Sequence, residues 1–262
     1  MLTAFTRGVS ARIAECELTF IDRLPIDFER AVQQHQRYEE MLRSLGVEVR
    51  QIPADNQCPD CCFLEDTAVV LDELAVLTRP GSEARRHEVA GVAPVIRQHR
   101  DVVNIEAPAT LEGGDVLRVG RDLFVGITTR TTDEGIRALQ KYVEPHGYRV
   151  HAVNVPGALH LKSVCTAVDE HTILGDARRV NLSPFSKYDV VQVPAEEWMA
   201  ANVLLVKGTV CMHSGFRETI SLLKKRGHEV RTVDISEFLK AEAGLTCMSL
   251  IFRDPGDRIV LE

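Results

Sequence analysis

PHGYRVHAVNVP, residues 145–156, reads as the end of a helix, a turn and a strand in quick succession. Gly147 fits the position just past a helix, where the backbone turns left-handed, and the β-branched run after it closes on Pro156 like a buried strand. The phrase recurs as SLGVEVRQIP (44–53), QHRDVVNIEAP (98–108), FSKYDVVQVP (185–194) and KRGHEVRTVDIS (225–236), with Gly46 and Gly227 in the place of Gly147. Each copy is followed by a loop and then by two apolar runs joined by turn chemistry: TAVVLDELAVLT (67–78), DVLRVGRDLFVGIT (115–128), VCTAVDEHTILG (164–175), ANVLLVKGTVCMH (201–213) and CMSLIFRDPGDRIVLE (247–262).

Helical patterns follow these hairpins. SEARRHEVAGVAPVIRQH and TTDEGIRALQKYVEPHG open on Ser and Thr in the manner of N-caps; FRETISLLKKRG is shorter and RRVNLSPFSKY only weakly helical. The fifth hairpin ends the chain, so its helix is expected from the N-terminus, within 21–46, where Phe28, Val32, Tyr38, Leu42 and Leu45 recur at near-helical spacing. Five such units closed end to end leave no free sheet edge. The strand near LTAFTRGVS should then pair close to the C-terminal one. No linker or shift of composition interrupts the pattern, so residues 1–262 read as one α/β domain of pseudo-fivefold symmetry.

The composition excludes several functions. The 262 residues carry 45% hydrophobic side chains and a net charge of −7, without a dense Lys/Arg run, which argues against nucleic acid and anionic membranes as partners. No apolar run approaches the roughly 20 residues of a membrane span, and MLTAFTRGVSARIAE is too polar for a signal peptide. A cytoplasmic location is expected. Seven cysteines, an odd number scattered through the chain, do not form a disulfide framework. CPDCC invites a zinc reading, but no second cysteine pair follows at a suitable spacing; Cys58, Cys61 and Cys62 read as loop and core thiols, and no metal is expected.

The loop between each lone strand and the next hairpin is the same place in every unit and faces one end of the ring axis. It contains Asp60, Glu65 and Asp66; Glu112 and Asp115; His160 and Lys162; Asn202; and Cys247. Singly, each has an ordinary structural explanation: a buried thiol at a strand edge, a core histidine, a turn-capping acid. Gathered at one repeat position they make a thiol, an acid–base imidazole and an orienting carboxylate, flanked by further acids. Arg85 and Arg130 follow two successive hairpins at matching positions, suited to hold a carboxylate bidentately.

The blocks PDCCFLED, LTRPGSEARR, ATLEGGDVL, FVGITTRT, LHLKSVC, AAN and GLTCMS together resemble the dimethylarginine dimethylaminohydrolase family of the pentein, or amidinotransferase-like, superfamily, over residues 5 to 252. The resemblance implies a five-bladed α/β propeller of ββαβ repeats. It further implies hydrolysis of Nω-methylated arginines to citrulline through a covalent cysteine intermediate, with no cofactor. It places the catalytic roles on Cys247, His160 and Glu112 and the guanidinium contacts on Glu65 and Asp66. The amino-acid end of the substrate falls to Asp60, Arg85 and Arg130, a lid contact to Leu18, and a further ligand contact to Ala241. The lid segment 8–25 departs most from the family pattern. Arginine deiminases resemble the same pattern but carry Asp two residues after the His, where this chain has Lys162. Deimination of arginine, hydrolysis of citrulline, and non-catalytic binding of arginine derivatives are the alternatives, and self-association into a homodimer is left open.

Overall fold

A computed structural model describes residues 1–254. Every lone strand and hairpin expected there is present, in five three-stranded sheets. Strand β1 (Leu2–Arg7) and β2 (Glu48–Ile52) share a sheet with the last strand, β15 (Leu250–Arg253). The others group β3 (Ala68–Val70), β4 (Leu74–Leu77) and β5 (Asp101–Asn104); β6 (Val116–Val119), β7 (Asp122–Ile127) and β8 (Arg149–Asn154); β9 (Cys165–Ala167), β10 (Thr172–Gly175) and β11 (Asp189–Gln192); and β12 (Leu204–Val206), β13 (Thr209–His213) and β14 (Glu229–Val233). In four of the sheets an antiparallel hairpin pairs through its second strand, in parallel, with the lone strand that comes next in the chain. The paired unit is therefore ββαβ, and the loop from lone strand to next hairpin joins two blades.

The fifth blade is completed across the termini. Leu2 lies opposite Arg253 and Phe5 opposite Leu250 in an antiparallel ladder, so the N-terminal strand pairs with the C-terminal one, as the closed ring requires. The return strand expected within 258–262 lies outside the described residues.

The blade helices are α1 (Phe28–Ser44), α2 (Glu88–Ile96), α3 (Asp133–Val143) and, after a four-residue turn α4 (Leu161–Val164), α5 (Arg217–Lys225); a second short turn, α6 (Ser236–Leu239), precedes the last loop. The helix-ending Gly147 has φ of 79°. Thr132 caps α3 by accepting from the Gly135 N–H, as expected. Ser82 does not cap a helix: it precedes a short 3-10 turn, α2 begins only at Glu88, and its hydroxyl turns to Glu17 instead.

Helix α1 also differs from its apolar reading. Its buried face holds Ala31, Tyr38 and Leu42 together with Gln34, His35 and Glu39, whereas Phe28, Val32 and Leu45 are only partly covered. Gln34 and Glu39 are tolerated there because they are paired. Gln34 donates to Asp234 and accepts from the Glu237 N–H, and Glu39 accepts from Thr6 and Gln51. Tyr38 and Phe238 anchor the apolar cluster beneath this helix, and each buried ring contributes about 1.5–3 kcal/mol.

Candidate active site

The five interblade loops meet at the hub. The turn at Leu64–Thr67 packs on those at Gly113–Asp115 and Thr246–Met248, and the turn at Leu161–Val164 packs on Gly113–Asp115 and Trp198–Ala201. Residues from 64 to 248 are thereby drawn into one cluster. Close approach requires the paired glycines of EGGD. A Cβ on Gly113 would lie 1.9 Å from the Glu65 carbonyl oxygen, and one on Gly114 would lie 2.6 Å from Asp66 Oδ1 and 2.8 Å from the His160 ring. Neither position has room for a side chain.

His160 donates from Nε2 to Glu112 Oε2 at 2.6 Å, and the same nitrogen is 3.8 Å from Asp66 Oδ1. Asp115 sets the loop that carries the imidazole: its Oδ1 accepts the Leu161 N–H at 2.9 Å, and its Oδ2 accepts from Thr128 and Thr131. The other oxygen of Glu112 accepts from the Gly81 N–H at 3.0 Å. Asp66 is held by the Gly114 N–H on one oxygen and by Arg85 Nη1, at 2.7 Å, on the other.

These contacts fix the charges. Burial alone would lower the His160 pKa, but Asp66, Asp115 and Glu112 outweigh it and raise it to about 9. Burial likewise works against ionised Asp66, yet the His160 cation and Arg85 bring its carboxyl down to about 2. Glu112 is lowered by His160 despite its burial. His160 is thus a buried cation between two carboxylates at neutral pH. Because its folded pKa lies above the ordinary value of about 6.5, its protonation stabilises the fold fully below pH ~6.5, and that contribution is lost as pH rises through about 9. Urea unfolding of wild type and His160→Gln from pH 6 to 10 should show the wild-type advantage shrinking toward alkaline pH; an advantage that grows with pH would contradict this assignment.

On the other side of the hub, Thr246 donates its hydroxyl to Glu65 Oε2 at 2.7 Å and accepts from Asn202 Nδ2 at 3.0 Å, while the Asn202 oxygen accepts the Thr246 N–H. Asn202 also donates to the Lys162 carbonyl, and Lys162 Nζ lies 2.6 Å from Glu65 Oε1. Glu65 has both oxygens engaged, and burial raises its pKa despite Lys162. Next in the chain is Cys247, 9% exposed, with its Sγ accepting the Gly244 N–H at 3.4 Å. Burial pushes its thiol up to about 12, and the charges of Glu65 and Asp66 add to the effect. The thiol stays protonated until positive charge arrives beside it.

Cys247 feels the charges of Glu65 and Asp66, and Asp66 in turn lies 3.8 Å from the His160 nitrogen that pairs with Glu112. Leu18 and Ala241 pack against the apolar cluster that contains Cys247. Asp60 and Arg130 meet a different partner, Glu17 of the segment between β1 and α1, through the Glu17 N–H and carboxylate respectively. Arg85 is buried behind Asp66, with its remaining donors on Glu88 and the Phe63 carbonyl. Arg86 turns away to Glu83 and the Pro80 carbonyl. Cys58 and Cys61 donate their S–H groups to Asp55 and the Gly8 carbonyl, and Cys62 sits in the apolar cluster. Among the described residues, the side chains that draw together like metal ligands are Asp66, Glu112 and His160, within 4.8 Å of one another; here the imidazolium itself supplies the positive charge between the two acids.

Sequence reasoning passed over Glu17, Glu242 and Thr246. Glu242 has φ of 58°, uncommon outside glycine, and its carboxylate accepts the Thr19 N–H at 2.8 Å and the Phe20 N–H at 3.2 Å, which pins the lid segment to the loop of Cys247. Its only signal in the sequence is an acid among small residues, AEAG.

Five ββαβ blades around a polar hub of this composition define the pentein class of enzymes. A profile described as "N,N dimethylarginine dimethylhydrolase, eukaryotic" matches residues 23–249. The N(G),N(G)-dimethylarginine dimethylaminohydrolase of Streptomyces coelicolor is 38% identical over 254 residues, 96% of this chain and 97% of that one. The protein of the same name from Pseudomonas aeruginosa is 33% identical, over 86% of this chain and 90% of its own. A solved Cys-to-Ser variant of the Pseudomonas aeruginosa enzyme, in complex with citrulline, superposes with a TM-score of 0.91 at 30% identity, covering 95% of this chain and 98% of that one. The chain belongs to the dimethylarginine dimethylaminohydrolase family.

Proposed function

We propose that this chain hydrolyses Nω,Nω-dimethyl-L-arginine and Nω-monomethyl-L-arginine to L-citrulline and dimethylamine or methylamine. The observation that carries the reading is the buried His160–Glu112 pair at 2.6 Å, next to Asp66, on a hub shared with Glu65 and the Cys247 loop. Relatives at 33–38% identity bearing that enzyme's name, and a citrulline complex in the same fold, support it.

A guanidinium is permanently charged and resonance-stabilised, so its carbon reacts only when the cation is held and oriented. In this reading Asp66 and Glu65 take its N–H groups. The bound cation lowers the thiol of Cys247 from its value near 12, the proton leaves to solvent, and the thiolate attacks the guanidinium carbon. The tetrahedral adduct collapses as His160, cationic and oriented by Glu112, gives its proton to the departing dimethylamine. An S-alkylthiouronium remains on Cys247. Neutral His160 then takes a proton from water, the resulting hydroxide adds to the thiouronium carbon, and expulsion of the thiolate releases citrulline. No step requires a cofactor.

Lys162 bears on the substrate. Its ammonium pairs with Glu65 in the place where the arginine deiminase pattern has a further carboxylate. A carboxylate facing a dimethylated nitrogen would lack its donor, at a cost of about 1–3 kcal/mol; a lysine does not incur that cost. A substrate panel scored for ureido product tests the assignment. The expected result is product from both methylated arginines, with kcat/KM at least about tenfold above that for unmethylated arginine. A preference for arginine would replace hydrolysis of methylated arginines with deimination.

The same reading takes residues 1–262 as one catalytic domain acting on a small molecule in the cytoplasm. Among the described residues no helix is long and apolar enough to cross a membrane.

A further inference from the structure

Glu17 makes a set of contacts that none of its neighbours makes. Its backbone N–H donates to both oxygens of Asp60, at 3.3 and 3.2 Å. Its carboxylate accepts from Ser82 Oγ at 2.6 Å and pairs with Arg130 Nη1 at 3.0 Å. One residue therefore sets an N–H donor on Asp60 and a carboxylate on Arg130. Those are the contacts that the ammonium and the carboxylate of a free amino acid would make with the same two side chains. Arg130 is nearly buried, with its side chain 10% exposed, whereas that of Glu17 is 34% exposed.

We propose that Glu17 is a specificity-determining residue: its carboxylate occupies Arg130 in place of the substrate's α-carboxylate, and a ligand must bring a carboxylate of its own to displace it. This rests on the reading of Asp60 and Arg130 as the clamp for the amino-acid end. Arg130 already lies 3.5 Å from Glu112 Oε1, so a ligand carboxylate arriving beside Glu17 crowds three acids around one guanidinium. Like charges so close disfavour each other, and the most exposed of the three is the one that leaves. The segment stays attached when it does. The Thr19 and Phe20 N–H groups remain on Glu242, and Arg23 still donates to the Ala14 and Cys16 carbonyls. A ligand without a carboxylate has nothing to exchange for Glu17.

Calorimetric titration of Cys247→Ser protein, with and without Glu17→Gln, tests this with two ligands: L-citrulline and its decarboxylated counterpart N-carbamoylputrescine. Glutamine keeps the size of the side chain and the ability to accept from Ser82 but carries no charge. Glu17→Gln is expected to tighten L-citrulline binding about fivefold to tenfold and to leave N-carbamoylputrescine within about twofold. Glu15→Gln, which breaks only the exposed pair with Arg12, should change neither. Unchanged or weaker L-citrulline binding in Glu17→Gln overturns the proposal, as does an equal gain in Glu15→Gln. Failure of the parent reading looks different: neither Glu17 nor Glu17→Gln protein would bind L-citrulline, and this inference falls with it.

Discussion

Cys247→Ser should reduce citrulline formation from Nω,Nω-dimethylarginine to background, a loss of at least about 10⁴-fold in kcat. The size of the loss follows from the site. A serine hydroxyl is a weak nucleophile unless a base takes its proton, and here the nearby imidazole is held as a cation by Asp66, Asp115 and Glu112. It can donate a proton but not accept one in the first step. A thiol is different, because a bound guanidinium within reach shifts it toward the thiolate without help from His160. The substitution is nearly isosteric and removes no hydrogen-bonding partner other than the Gly244 N–H on Sγ, which a hydroxyl oxygen also accepts. Calorimetry should find ligand binding retained while ureido product disappears. Retained turnover would show that the nucleophile is another group.

His160→Ala should cost about 10²–10⁴-fold in kcat, the usual range for removing a positioned general acid. The pH profile separates this role from a merely structural one. His160 must carry its proton to release the amine, so activity should fall on the alkaline side as the group titrates near 9. Glu112→Gln removes one of the charges that hold the proton on. The alkaline limb should then move to lower pH, together with a loss of kcat. A limb that stays in place in Glu112→Gln would mean that another group titrates there.

The blades are legible in the sequence because each strand and hairpin is a local event. PHGYRVHAVNVP and its four relatives each carry a β-branched run, three of them behind a helix-ending glycine, and the turns between hairpin strands lie within a few residues of both partners. The hub acids, the imidazole and the thiol are legible because they recur at one position of the repeat. What escaped is long-range. Thr246 bonds Glu65 across 181 residues, and Glu242 bonds Thr19 across 223, with nothing in either neighbourhood to announce a partner. Ser82 has the sequence of a helix cap, but its hydroxyl prefers Glu17 at 2.6 Å, and the helix starts later. The polar stripe of α1 breaks the apolar periodicity because Gln34 and Glu39 serve as hydrogen-bonding struts to distant segments. The pairing of the N-terminal strand with the last one is the exception: it was legible because a ring of five units has to close on itself.

The catalytic account depends on the sulfur of Cys247 becoming bonded to the guanidinium carbon while His160 releases the amine. Acid quenching of wild-type protein within the first turnovers on Nω,Nω-dimethylarginine, followed by peptide mass spectrometry, reads that bond directly. The account predicts an adduct equal to the substrate less dimethylamine on the peptide containing Cys247, and on no peptide containing any of the other cysteines. Citrulline production with Cys247 unmodified throughout, or with the adduct on a different residue, would contradict it.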